Sequence, residues 1–340
     1  MRLTYDVLTI KTKFPFVIAR GGASDHRVVR IKLCDDAGLE GWGEAAPNRF
    51  YGETPETAVA ALEKLRPVIE SADAWSLEAL EAEMNRALRF NGSAKSGVSA
   101  AAHDLVGKRL GVPLFKLWGL NPAAAPRSSF TIAIADNEEE LVRRVEDAHE
   151  YPILKVKLGT DRDAEIIRAV RLAAPDKIIR VDANAAWTAK QALTMVELLY
   201  DYGVEFVEQP VAAQDLEGMR FVRERSPLPI VADESCVTST DIPRLAGVAD
   251  GINIKLSKCG GLREALRMIA TARSHGMLVM CGCMIETSLG ITAAAHFASL
   301  LDAADLDGAA LLAADPHRGA TIIGGDIALP AGPGLGVTAA

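Results

Sequence analysis

Leu3, Tyr5, Val7 and Thr9 keep a two-residue rhythm at the start of the chain, which predicts a strand over 3–10 with one face turned inward. Val28 to Cys34 reads as a second strand. Asp35-Asp36-Ala37-Gly38 is a turn, and Gly41-Trp42-Gly43-Glu44 is the strand that returns from it. Thr54-Pro55 is a helix start, a capping hydroxyl followed by proline at the first helical position. Helical patterns follow over about 55–70, 76–89 and 97–109. Three strands and then three helices make a small α+β unit.

From Ser128 the pattern changes. Short apolar runs at 128–134, 153–158, 178–182, 204–208, 229–233, 252–256, 278–282 and near 303–307 alternate with amphipathic stretches. Ile166, Val170 and Ala173 mark one helical face. Ala192, Val196 and Leu199 mark another, behind a capping box at Thr188 and Gln191. Eight strands alternating with helices predict an α/β fold, a (β/α)8 TIM-like barrel. An open doubly wound sheet would call for a G-x-G-x-x-G turn after its first strand, and none follows 128–134. The Gly- and Pro-rich end, from Ile322 to Ala340, is expected to leave the barrel and pack on the N-terminal unit. The predicted organisation is therefore an α+β capping domain, 1–120 completed by about 320–340, and a catalytic barrel, 121–319.

Composition narrows the function. The net charge is −8 with no basic run, which argues against nucleic acid as a partner. The five cysteines are odd in number and contain no C-x-x-C, so a reducing compartment fits better than a disulfide framework. No apolar run is long enough for a membrane span, and the first residues lack a signal-peptide core. The cytoplasm is the default expectation. The six histidines show no metal or triad spacing.

Chemistry concentrates at the C-terminal ends of the predicted barrel strands, where such barrels place their active sites. The second strand carries Lys155 and Lys157. The third ends at Asp182, the fourth at Glu208, the fifth at Asp233, the sixth at Lys255, and the eighth at Asp305 and Asp307. Three converging carboxylates repel one another unless a cation joins them, and hard oxygen ligands favour Mg2+. Lys155 and Lys157 share one strand face, so their charges should disfavour each other and tune Lys157 toward a base. Lys255 should stand across the barrel. A base on each face of one carbon is what inversion at that carbon requires. Salt-bridging, phosphate-binding or Schiff-base lysines remain alternatives for any one of these residues.

The strings KVKLG, VDANAAW, VEQPV, ADES and NIKLSKCGG, in this order, resemble the muconate-lactonising-enzyme subgroup of the enolase superfamily, over essentially the whole chain. The resemblance implies a modified barrel beneath a cap, Lys157 and Lys255 as the acid/base pair, and one Mg2+ on Asp182, Glu208 and Asp233. Lys258 lies in the same sixth motif and is taken as secondary. Ala304-Asp305-Leu306-Asp307-Gly308 is similar to the D-x-D motif of dipeptide epimerases, whose aspartates would hold an α-ammonium group. Pro15 to Gly21 resembles the capping loop of L-Ala-D/L-Glu epimerases, which implies that Arg20 meets a side-chain carboxylate of the substrate. Cys283, Ile285, Thr131 and Lys155 are further substrate contacts by the same likeness. Ala309 departs from the proline found there in the family.

The implied activity is epimerisation of a dipeptide from cell-wall peptide turnover, through an enediolate. A homo-oligomer is left open. Within the superfamily an N-acylamino acid racemase, an o-succinylbenzoate synthase or a muconate cycloisomerase is the alternative, and outside enzymology a metal and peptide binder.

Overall fold

The computed structural model describes residues 1–340. Strands β1 (Arg2–Ile18), β2 (Gly21–Cys34) and β3 (Glu40–Ala45) form an antiparallel sheet in the order β1-β2-β3. The first two run longer than the alternating pattern predicts and extend together to the turn at Arg20. Helices α1 (Pro55–Ser71), α2 (Leu77–Ala87) and α3 (Gly92–Leu110) follow. Thr54 caps α1 with the reciprocal hydroxyl of Thr57. Sheet and helices enclose a core of Leu3, Val29, Ile31, Leu33, Leu62, Leu65, Ile69 and Val98.

Eight parallel strands build the second layer: β4 (Phe130–Ile132), β5 (Ile153–Lys157), β6 (Ile178–Asp182), β7 (Val204–Glu208), β8 (Ile230–Ala232), β9 (Gly251–Ile254), β10 (Leu278–Gly282) and β11 (Ala303–Asp305). They pair in sequence order, and a Ser128–Ala304 bridge joins the last to the first, nearly closing the ring. The last strand ends at Asp305, earlier than the predicted 307, so Asp307 lies beyond its end. After β11 the chain makes only short strands and turns where an eighth barrel helix would stand.

Helix α3 is buried from Gly92 to Gly107, which only its small residues (Ser93, Ala94, Gly97, Ala100, Ala101) permit between two packed layers. The C-terminal segment reaches it, where Leu335 N donates to Asp104 Oδ1 at 2.7 Å, and reaches the short helix after it (Leu114–Leu117), where Leu114 N donates to Gly334 O at 3.1 Å. The apolar residues of that segment, Ile322, Leu335 and Val337, join the barrel's cluster.

Candidate active site

Alternation along β5 sends Leu154 and Val156 into the apolar core and Lys155 and Lys157 into the barrel. Register then brings acids beside them, because Lys157 pairs with Asp182 across β5–β6, and Asp182 with Glu208 across β6–β7. Asp233 follows directly on β8. The three carboxylates are fully buried, with one oxygen of each within 4.8 Å of the others.

Each acid has its own support. Asp182 accepts from Lys157 Nζ (2.7 Å), Asn184 N (2.8 Å) and Asn184 Nδ2 (3.2 Å). Glu208 Oε1 accepts from Asn253 Nδ2 (2.7 Å). Asp233 Oδ2 accepts from Lys255 Nζ (2.7 Å) and Oδ1 from Lys258 Nζ (2.5 Å). Lys258, set in second place by the sequence, is fully buried and also donates to the carbonyls of Asp233, Cys236 and Asn253.

The backbone is strained where these strands end. Asn184, Ala185 and Gln209 have φ of 46°, 64° and 37°, a conformation that costs a side-chain-bearing residue about 1–3 kcal/mol. Gln209 is held in it by four hydrogen bonds: Oε1 accepts from Asp233 N and Ser235 N, and Nε2 donates to Val211 O and Ser235 Oγ. That clamp fixes the fifth-strand loop carrying Asp233. Glutamine at this position carries no charge, so charge patterning along the sequence passes over it.

Electrostatics sort the acids. Burial pushes every carboxyl up, but Lys157 and Lys155 overcome it at Asp182, and Lys255 and Lys258 at Asp233, so both sit below the usual carboxylate range. Glu208 is pushed up to about 8 by burial and the charge of Asp182. Lys155 Nζ lies 2.8 Å from Glu208 Oε2, yet off the line a hydrogen bond needs, so that buried oxygen has charge beside it but no donor. An all-oxygen donor set with an unsatisfied carboxylate oxygen fits a hard divalent cation.

Lys155 corrects the sequence-based picture. Its ammonium is 2.8 Å from Asp305, 2.8 Å from Glu208 and 3.3 Å from Asp182. Burial pulls its pKa down, but these three acids raise it well above the usual lysine value, outweighing the expected repulsion from Lys157. It is buried and does not line the site's cavity.

That cavity, about 630 Å3, opens between barrel and cap, and Lys157 and Lys255 both line it. They come from β5 and the end of β9, four strands apart in the ring. Arg20, Thr131, Cys283, Ile285, Asp305 and Asp307 line it too. Asp305 accepts from Ser129 Oγ (2.6 Å) and Lys155 Nζ (2.8 Å). Asp307 accepts from Thr131 N (2.6 Å), and burial beside Asp305 pushes it up to about 7.

Arg20, at the β1–β2 tip, donates to Asn184 O (2.5 Å) and Glu234 Oε1 (2.8 Å) and stacks over the Phe50 ring. Its partner Glu234 directly follows Asp233, and the ADES string alone does not reveal which of its two acids faces the barrel centre.

Comparison with known proteins agrees with this geometry. Residues 3–119 match the mandelate racemase / muconate lactonizing enzyme N-terminal domain, and residues 137–340 the enolase C-terminal domain-like model. The chain is 38% identical to the L-Ala-D/L-Glu epimerase of Bacteroides thetaiotaomicron, over 99% of this chain and 88% of that one. A substrate-liganded L-Ala-D/L-Glu epimerase from Bacillus subtilis superposes with a TM-score of 0.95 at 32% identity, covering 100% and 98% of the two chains. A dipeptide epimerase from Enterococcus faecalis, complexed with Mg and L-Leu-L-Tyr, gives 0.94 at 33% identity over 99% of each. The chain therefore belongs to the mandelate racemase / muconate lactonizing enzyme family of the enolase superfamily.

Proposed function

We propose that this chain is a dipeptide epimerase that inverts the α-carbon of the second residue by two-base proton transfer. The observation that carries it is one cavity lined by amines from strands four apart in the ring and by an aspartate pair, each amine 2.7 Å from a member of a buried three-carboxylate cluster. Lys157 and Lys255 are the acid/base pair. One, as the free amine, takes the α-proton. The other, as the ammonium, delivers a proton to the opposite face, so that the product differs from the substrate only in configuration.

Asp182, Glu208 and Asp233 would hold Mg2+, which supplies positive charge beside the substrate carboxylate as electron density moves into it. Asp305 and Asp307 bind the dipeptide's ammonium group, a task that racemases of N-acyl substrates and cycloisomerases lack. Thr131, Cys283 and Ile285 flank the peptide. Lys155 holds Glu208, Asp182 and Asp305 together, so it is assigned no substrate contact. In this scheme 1–120 with 320–340 caps the barrel of 121–319. Chain and substrate meet in the cytoplasm, where cell-wall peptides are taken apart.

L-Ala-D/L-Glu is the first substrate proposed, with Arg20 facing the glutamate side chain. A dipeptide with an uncharged second residue is the second reading, favoured by the ion pair that Arg20 already makes with Glu234.

Incubating a dipeptide library with the Mg2+-loaded enzyme in D2O tests both. Mass gain and inversion of one family of Ala-Xaa dipeptides is the expected result, and no exchange with any of them removes the proposal. Lys157→Gln and Lys255→Gln should each lower inversion at least ~100-fold, in line with the usual worth of a general acid or base. Inversion at wild-type rate in either variant rejects the two-base scheme.

A further inference from the structure

Strand β3 reads Glu40-Gly41-Trp42-Gly43-Glu44-Ala45. A Cβ at Gly43 would overlap the carbonyl oxygen of Gly97, and one at Gly41 that of Ala101. The two glycines therefore let the strand lie directly on the backbone of α3. Alternation turns Trp42 and Glu44 to the other side, toward the barrel. There Trp42 stands edge-on to the His317 ring at 6.1 Å.

Glu44 is buried, and both of its oxygens go to one barrel residue. Thr287 N donates to Oε1 at 2.9 Å, and Thr287 Oγ1 donates to Oε2. Thr287 is the cap of the helix Ser288–Ala295, its hydroxyl also accepting from Leu289 N at 3.2 Å. Immediately upstream, Glu286 Oε1 accepts from Met284 N at 2.9 Å. Both carboxylates converge over Gly290, where a Cβ would lie 3.0 Å from Glu44 Oε1 and would overlap Glu286 Oε2. So the segment 283–287 is shaped by one acid of its own and one from the cap, 243 residues away. Cys283, Met284 and Ile285 of that segment form part of the cavity wall.

We propose that Glu44 is a positioning residue: from the cap it fixes the Thr287 turn and thereby holds the 283–285 wall in place for the substrate. What the wall binds rests on the dipeptide function proposed above, whereas the latch itself does not. Alanine at 44 leaves the buried N–H of Thr287 without a partner at a helix start and takes the carboxylate from its hydroxyl, which keeps Leu289 N and His317 Nδ1. Glutamine keeps the volume, an oxygen for Thr287 N and an N–H for Thr287 Oγ1.

The test uses the full-length Mg2+-loaded enzyme as wild type, Glu44→Ala and Glu44→Gln. Amide hydrogen exchange over 283–289 should quicken about tenfold or more in Glu44→Ala and stay within about threefold of wild type in Glu44→Gln, as expected for loss or retention of buried hydrogen bonds. KM for the dipeptide that wild type inverts fastest should rise about tenfold in Glu44→Ala, with kcat within about threefold, and glutamine should restore it.

Unchanged exchange over 283–289 in Glu44→Ala overturns the latch whatever the substrate is. Faster exchange with an unaltered KM overturns the positioning role. If wild type inverts no dipeptide, that result counts against the proposed function, and the exchange measurement still decides the latch. Glu44→Asp, one methylene shorter, draws the carboxyl away from Thr287 while leaving that hydroxyl's bonds to Leu289 N and His317 Nδ1 in place, and must quicken exchange in the same segment. It decides the matter if Glu44→Ala does not fold.

Discussion

Replacing Lys258 by methionine removes a group of similar length while deleting its charge. Its ammonium lies 2.5 Å from Asp233 Oδ1 and donates to the carbonyls of Asp233 (2.6 Å), Cys236 (2.9 Å) and Asn253 (2.8 Å), with no exposed side-chain surface. At that separation the direct attraction is roughly 6–7 kcal/mol for an effective dielectric of about 20. The cost of burying the ammonium offsets part of it, and breaking a buried pair by losing one partner costs about 3–5 kcal/mol. The carbonyls of Asp233, Cys236 and Asn253 each lose a charged donor as well, although Asp233 O keeps Cys236 N at 3.0 Å, and Tm should fall by roughly 5–15 °C.

The loss should be larger in metal-free than in Mg2+-loaded protein, because a cation at Asp233 supplies part of the charge that the lysine gave. The gain in Tm on adding Mg2+ should therefore exceed that of wild type. Differential scanning fluorimetry with EDTA and with Mg2+ measures both quantities. A metal-free Tm within about 2 °C of wild type would refute the electrostatic reasoning, as would an unchanged gain on metal addition.

Burial, opposed by the Thr287 hydrogen bonds and helped by nearby Glu286, pushes Glu44 up to about 8, and burial pushes Glu286 up to about 7. Both prefer the protonated form when folded. Their stabilisation is full below the unfolded value near 4.5 and is lost as pH rises through 7 and 8. Glu44→Gln, which has nothing to ionise at this position, should lose less Tm than wild type between pH 6 and 9, and parallel profiles would count against the assignment. Gly43→Ala must push β3 off the carbonyl of Gly97 and should cost about 1–3 kcal/mol. Chemical denaturation reads that loss, and a variant as stable as wild type would mean the strand can shift freely.

Much of this protein is legible without coordinates. Two- and three-to-four-residue rhythms are local, and they placed the strands 178–182, 204–208 and 278–282 at their observed ends. Charged residues at the same end of successive buried strands have one place to go in a parallel barrel. The convergence of Asp182, Glu208 and Asp233 therefore followed from spacing, as did the choice of Lys157 and Lys255, to which the family strings added the acid/base role.

Pairing through space is another matter, because it depends on side-chain reach and on packing between segments that propensity does not connect. Only the folded chain decides that Lys155 binds three acids and that Lys258 anchors Asp233. Likewise it is the fold that makes neutral Gln209 the clamp of a loop, and that joins Glu44 of the cap to Thr287 of the barrel. The sequence determined which groups the site contains. The tertiary structure decided which charge each one answers, because an ion's partner inside a protein is whatever the packing leaves within about 3 Å of it.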